Sequence, residues 1–313
     1  MERPMARVSA EHTIVVGIDL TPACLDAARW AAREAVRRGV GLVLLHASAF
    51  GPREPEPGSA SVRRGADSPS SQGYRWLERA ATEARNAAPR VRLTVELACG
   101  IAPELLAGWS RTAELVVVGS HGLGGLSGVL VGSVALKIAA RAWCPVVVVR
   151  GSTVPEGTVV VGVDASPESD LAWEFAVESA ASRMVPLVVA HAWHAEPWAG
   201  AAQVAETRSR ERQAVEDRVV GWRGKYPDVE FRLHAVQDRD AARVLLGLSG
   251  SAQLIVIGSR GRGPIAGGLL GSTGNALLSR APCPVVLAHE RKRASPASPS
   301  GWSSPETRGR AHA

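Results

Sequence analysis

"TIVVGIDLTP" at Thr13–Pro22 and "TVVVGVDASP" at Thr158–Pro167 are one phrase written twice, 145 residues apart. Each begins with an unbroken apolar run of strand length, the mark of a strand buried on both faces. Thr21-Pro22 and Ser166-Pro167 then supply a helix N-cap residue and a proline at the first helical position. A buried strand that feeds a helix this quickly opens a β-α unit of a parallel sheet.

The repeat extends along the chain. Gly17 pairs with Gly162, Asp19 with Asp164, and His46-Ala47 with His191-Ala192, all 145 apart. Farther on, Gly119 pairs with Gly258, Gly132 with Gly271 and Pro145 with Pro284, now 139 apart. The second half has therefore lost a net six residues between His191 and Gly258. The connection after strand two is where the loss is expected. It reads "SAFGPREPEPGSASVRRGADSPSSQ" in the first half and "WHAEPWAGAA" in the second. Two domains follow, residues 11–150 and 154–289, joined near "RGSTVPEGT" at Arg150–Thr158. The segment 290–313 is Ser/Pro/Arg-rich, cannot build a core, and is expected to be a disordered tail.

Within each half, apolar strand-length runs alternate with helical patterns. In the first half the strands are "TIVVGID", "VGLVLLHA", "VRLTVELA", "AELVVVGS" and "CPVVVVR". Five strands with helical crossovers predict an α/β protein of two tandem, doubly wound, parallel five-stranded sheets. Such sheets take ligands beyond the C-terminal strand ends, where the strand order reverses. The last strands, "PVVVVR" and "PVVLAH", are sheet edges that could pair with each other or, as a homodimer, with another chain.

Composition excludes several classes. The chain has 313 residues, 46% of them hydrophobic and 21% charged, ordinary for a globular protein. No apolar run approaches the ~20 residues of a membrane span. "MERPMARVSAEHT" lacks the apolar stretch of a secretory signal, so a cytoplasmic location is expected. Cys24, Cys99, Cys144 and Cys283 form no C-x-x-C pair, so no metal or redox dithiol is suggested. Cys144 and Cys283 read as buried, inert thiols. The net charge is +6, but residues 290–313 carry five basic and two acidic side chains and so supply three of those charges. Nucleic acid is not an expected partner.

"GSHGLGGLSGVLVGS" at Gly119–Ser133 and "GSRGRGPIAGGLLGS" at Gly258–Ser272 carry the chemistry. Both read G-x-x-G, nine residues, then G-S, through Gly119, Gly122, Gly132 and Ser133 or Gly258, Gly261, Gly271 and Ser272. Glycine lets a ligand approach peptide N–H groups closely. The closing Gly-Ser starts a helix, whose N-terminus is a seat for phosphate. The serine could cap that helix or donate to a phosphate oxygen. The stretch is no Walker loop, since no lysine precedes Ser133 or Ser272. Arg260 and Arg262 occur only in the second copy; Lys137 is found only in the first-half helix, where the second has Ala276.

This set of landmarks, in the same order in both halves, resembles the universal stress proteins of the ATP-binding kind. The resemblance implies the adenine nucleotide alpha hydrolase-like fold, strand order 3-2-1-4-5, and an adenine nucleotide, ATP with magnesium, in each half. It places Gly17 and Asp19 beside adenosine and Ala47 against the base. Val118, Gly119, Gly122, Gly132, Ser133 and Val134 would hold ribose and phosphates. The second set is Gly162, Asp164, Ala192, Ile257, Gly258, Gly261, Gly271, Ser272 and Thr273.

Such a protein is expected to be a nucleotide-dependent stress regulator and not an enzyme. An adenylyl-transferring or ATP-hydrolysing enzyme on the same fold would need motifs such as His-x-Gly-His after strand one, and neither half has one. A nucleotide-free scaffold would not need both motifs intact. His46 and His191 read as packing or backbone-bonding residues.

Overall fold

The computed structural model describes residues 12–48, 69–120, 131–151, 154, 156–164, 169–259 and 270–289. The first half runs β1 (Thr13–Gly17), α1 (Pro22–Arg38), β2 (Gly41–Ser48), α2 (Pro69–Ala87), β3 (Leu93–Cys99), α3 (Ala102–Trp109), β4 (Leu115–Gly119), α4 (Ser133–Arg141) and β5 (Val146–Val149). The second repeats it as β6 (Thr158–Gly162), α5 (Ser169–Arg183), β7 (Leu187–Trp193), α6 (Ala201–Lys225), β8 (Phe231–Gln237), α7 (Ala241–Ser249), β9 (Ala252–Gly258), α8 (Ser272–Arg280) and β10 (Val285–Ala288).

Each half has the expected order 3-2-1-4-5, but the two sheets are not separate. β5 and β10 pair antiparallel and fuse them into one ten-stranded sheet, β3-β2-β1-β4-β5-β10-β9-β6-β7-β8. The edge that a second chain could have used is thus filled within the chain. β3 and β8 are left as the outer strands. Val147 lies opposite Val286, its own counterpart in the repeat, so a pseudo-twofold axis passes through that pair.

Strand side chains alternate between two cores, and both cores run across the seam. Ile14, Val16, Val147 and Val286 point toward α1, α2, α5 and α6. Val15, Val146, Val148 and Val285 point toward α3, α4, α7 and α8. Cover on both faces is what the continuous apolar runs require.

The lost residues are distributed differently from the expectation. Only residues 194–200 separate β7 from α6, whereas 49–68 separate β2 from α2, but α6 has 25 residues against 19 in α2. The repeat offset falls to 138 at Leu93 and Phe231 and returns to 139 at Ala102 and Ala241. One residue is therefore regained before α7.

Helix ends follow local chemistry. Pro22 opens α1, and Gly39 closes it in the left-handed region with φ 70°. Met184 occupies the matching place after α5 with φ 55°, although it is not glycine. Gly39 and Met184 donate to Val36 and Ala181, and Val40 and Val185 to Ala35 and Ala180, so the two ends are closed alike.

The halves also meet through side chains. Glu34 on α1 is 1% exposed and its carboxylate takes Arg37 at 2.6 Å, Arg38 at 2.6 Å and Arg183 of α5 at 2.7 Å. Arg38 also lies over the Phe175 ring, 4.7 Å from its centroid. Arg150 Nη1 donates to the Leu278 carbonyl at 3.2 Å. A cavity of about 440 Å³ lies at this seam, lined by Asp26, Ser120, Arg150, Gly151, Arg280 and Pro282 among others.

Candidate functional site

β1 sits between β2 and β4, so the chain reverses its direction of growth across the sheet at β1. The C-terminal ends of these strands form the crevice where open α/β sheets bind ligands. The structure brings Asp19, Ala47, Gly119, Gly132 and Ser133 to that edge in the first half. Asp164, Ala192, Gly258, Gly271 and Ser272 reach the matching edge in the second. Gly122, Gly261, His121, Arg260 and Arg262 lie outside the described residues.

The turn after strand one is held from two sides, in the same way in both halves. His46 Nδ1 donates to the Ile18 carbonyl at 2.7 Å, and His191 Nδ1 to the Val163 carbonyl at 3.0 Å. A carbonyl only accepts, so each ring carries a proton at Nδ1. Cys24 Sγ donates to the Asp19 carbonyl at 3.2 Å, and Ser169 Oγ to the Asp164 carbonyl at 3.0 Å. The histidines are backbone-bonding residues, as expected. The Cys24/Ser169 pair is a positioning feature that sequence reasoning missed. Its signal is a short donor five residues after each aspartate.

Asp19 has a further task. Its Oδ1 accepts from the Thr21 N–H at 3.0 Å and from the Thr21 hydroxyl. Thr21 occupies the N-cap position of α1 but makes no side-chain cap bond. Thr21 at the N-cap and Pro22 opening the helix are as expected, and the Thr21 hydroxyl hydrogen goes to the nearby Asp19 carboxylate, a strong acceptor. Burial, and then the Asp19 charge, push the Cys24 thiol up to about 12, so it is a neutral donor with no thiolate chemistry at ordinary pH. Burial likewise raises Cys283 to about 12, and Cys144 is buried; both fit the inert reading.

The glycines divide by what surrounds them. A Cβ at Gly17 would lie 3.2 Å from Leu106, and one at Gly162 would lie 2.8 Å from Leu245. Leu106 and Leu245 are repeat counterparts on α3 and α7, so both glycines make room for a helix packed on the strand. A Cβ at Gly119 would stand 2.9 Å from the Ala23 carbonyl, so the start of α1 rests on this strand end. Val118 and Ile257 are buried beside Gly17 and Gly162. Their side chains face the core, which leaves only their backbone for a ligand.

Gly271 is different. Its φ is −60°, open to any residue, and a Cβ there would meet no described atom within 4 Å. Gly132 has φ −59° and is the N-cap of α4, as Gly271 is of α8. Ser133 and Ser272 are therefore the first helical residues and not the caps, and both are exposed. Val134 and Thr273 follow in the first turn, half-buried. The Gly132 N–H donates to the Ser120 carbonyl at 2.9 Å, which holds the helix start against the end of β4.

The two sites are not electrostatic copies. His191 Nε2 faces Glu211 Oε2 of α6 at 3.0 Å. The matching position over His46 is Gly73 of α2, where a Cβ would be 2.6 Å from His46 Cδ2. Arg218 of α6 donates to Ser169 Oγ at 2.9 Å and pairs with Asp170. Arg218 thus ties α6 to the start of α5. Among the described residues, no group of three His, Cys, Asp or Glu side chains could hold a metal ion. No described helix is long and apolar enough to cross a membrane.

Comparison with known proteins agrees with this architecture. The pattern of the Universal stress protein family matches residues 11–150 and again 157–289. The chain is 34% identical over 306 residues to universal stress protein Rv2005c of Mycobacterium tuberculosis, covering 91% of this chain and all of that one. It is 36% identical over 297 residues to universal stress protein Rv2623 of the same organism, covering 88% and 96%. A crystal structure of a universal stress protein from Archaeoglobus fulgidus shares the fold, with a TM-score of 0.67 at 20% identity over 89% of this chain and 98% of that one. The chain belongs to the universal stress protein family, with two family units in tandem.

Proposed function

We propose that each half binds one adenine nucleotide, ATP with magnesium, and that the chain acts in the cytoplasm as a nucleotide-dependent stress regulator without turnover. The observation that carries this reading is Gly271. Neither its backbone angle nor its described neighbours require glycine, and it stands where a helix presents open N–H groups. A ligand that comes close to the helix start would require it. The rest of the edge fits a nucleotide. Asp19 and Asp164 are half-buried acceptors suited to ribose hydroxyls, and Ala47 and Ala192 are small and half-buried, suited to a flat base. Gly119, Gly122, Gly132, Ser133 and Val134, with Gly258, Gly261, Gly271, Ser272 and Thr273, would line the phosphates. Gly17, Gly162, Val118 and Ile257 would shape the floor from beneath.

Turnover needs a positioned base or nucleophile, and the described groups nearest the aspartates are used otherwise. Cys24 is a neutral donor, and His46 and His191 are tied to backbone carbonyls. Calorimetric titration with ATP, ADP and AMP, with and without magnesium, tests the proposal. Two sites per chain are expected, and no heat with any of the three would refute it. Arg260 and Arg262 should make the second site tighter for ATP. An exposed ion pair contributes ~0–1 kcal/mol and a charged hydrogen bond ~1.5–3. Between these bounds, the arginine pair should give about 1 kcal/mol, somewhat under tenfold. The gap should shrink with salt and with AMP.

A further inference from the structure

The pairing of β5 with β10 raises a question of address. Its axis passes through Val147 and Val286, which are repeat counterparts. The strands themselves are near copies, VVVV and VVLA, and both are wholly buried. By backbone and apolar contact alone, β5 could pair with β5 of a second chain, or β10 with β10. The strands do not distinguish one half from the other.

The helices that meet over this axis do. α1 and α5 match at an offset of 145, so Arg38 corresponds to Arg183, Glu34 to Ser179 and Arg37 to Ser182. Arg38 and Arg183 thus reach one carboxylate from the two sides of the axis, at 2.6 and 2.7 Å. That carboxylate is 1% exposed, and the Arg183 side chain is 5% exposed. The place where a second carboxylate would stand is held by Ser179, itself fully buried.

We propose that the seam is built for one carboxylate shared by two axis-related arginines, and that this commits it to one copy of each half. Pairing of two second halves would bury Arg183 twice with no carboxylate. Pairing of two first halves would put two Glu34 side chains where the seam holds one glutamate and one buried serine. An unpaired buried charge and an overfilled core site are each destabilising. The single chain satisfies the arrangement internally.

The test is a double-mutant cycle on the full chain, read as thermal midpoints. Glu34→Ser leaves no carboxylate, and Ser179→Glu makes two. The exchange Glu34→Ser/Ser179→Glu keeps one but moves it across the axis, where Arg183 becomes its neighbour on the same helix and Arg38 its partner across the seam. Both single variants should melt about 5–10 °C below the parent. The exchange should recover most of the loss, short of full recovery because Ser182 stands where Arg37 did. Glu34→Gln, which keeps shape and removes charge, should fall with Glu34→Ser. If the exchange melts no higher than Glu34→Ser, or Ser179→Glu melts with the parent, the proposal is wrong. A Ser179→Glu chain too unstable to fold counts as the expected loss, and the exchange then decides.

Discussion

At the scale of single residues, the glycine-rich motif contains glycines of two kinds, and substitution should tell them apart. Gly119→Ala forces a methyl toward the Ala23 carbonyl, whose carbon and oxygen both stand 2.9 Å from an ideal Cβ and, being backbone, cannot swing aside. Overpacking of this sort costs about 1–3 kcal/mol. Gly271→Ala meets no described atom, so its cost should stay under ~1 kcal/mol, the scale of a poorer N-cap. Its ATP affinity should nevertheless fall by about tenfold or more, since one charge-assisted hydrogen bond is worth ~1.5–3 kcal/mol. Thermal melts and titrations on the two variants check both halves of this prediction. A second residue-scale case is Met184, 93% exposed and held at φ 55°. The left-handed region costs a non-glycine residue ~1–2 kcal/mol, and glycine's extra unfolded freedom returns ~0.5–1 of that. Met184→Gly should therefore stabilise the chain by about 0.5–1 kcal/mol in denaturant unfolding. Unchanged stability would mean that the turn carries no strain.

At the scale of elements, the sequence was legible wherever a local rule decided the outcome. "TIVVGID" could be read as a buried strand because nothing but cover on both faces tolerates Ile14, Val15 and Val16 in a row. The ends of α1 were written in Pro22 and Gly39. The bonds from Thr21 to Asp19 were not legible, since they depend on a turn geometry that no propensity encodes. Nor was the extra length of α6, which is polar and buries few residues. Glu34 was the least visible of all. It looks like an ordinary helix-surface residue until α5 arrives from 149 positions away. The three arginines also decide how its carboxyl titrates. Burial is the largest influence and would raise the carboxyl, but Arg183, Arg38 and Arg37 together overcome it and hold it below its ordinary value of 4.5. A carboxyl lowered on folding adds stability that is present above the unfolded value and is lost as pH falls through the folded one. The stability gap between the parent and Glu34→Gln should hold from neutral pH down to about 5 and narrow below 4.5. A gap that widens on acidification would contradict the lowered carboxyl.

At the scale of the whole molecule, the duplication could be read from spacing and the last strands as edges that would pair, but whether with each other or with a second chain could not. Two nearly identical edges permit pairing within a chain or between chains, and what selects between them is the short joint and the side chains above it. Gly151 is the more tightly enclosed of the two glycines described in that joint. Its φ is 62°, and an ideal Cβ there would fall 2.0 Å from the Pro282 carbonyl oxygen, so neither the angle nor the space admits a side chain. Next to it, Arg150 reaches across to Leu278. The buried strands β5 and β10 give each half apolar surface that water would meet if the seam opened. With the seam intact, the halves should unfold in one cooperative transition. Gly151→Ala adds a left-handed residue at ~1–2 kcal/mol and an overpacked contact at ~1–3, together about 2–4 kcal/mol directed at the seam. Gly151 is not among the residues proposed to hold nucleotide in either half. Calorimetric unfolding of this variant should therefore show an earlier, broadened or divided transition, while each folded half keeps its strand-end geometry. A single transition at the parent's midpoint would mean that the joint yields freely and that the halves are held together by the strand pair alone.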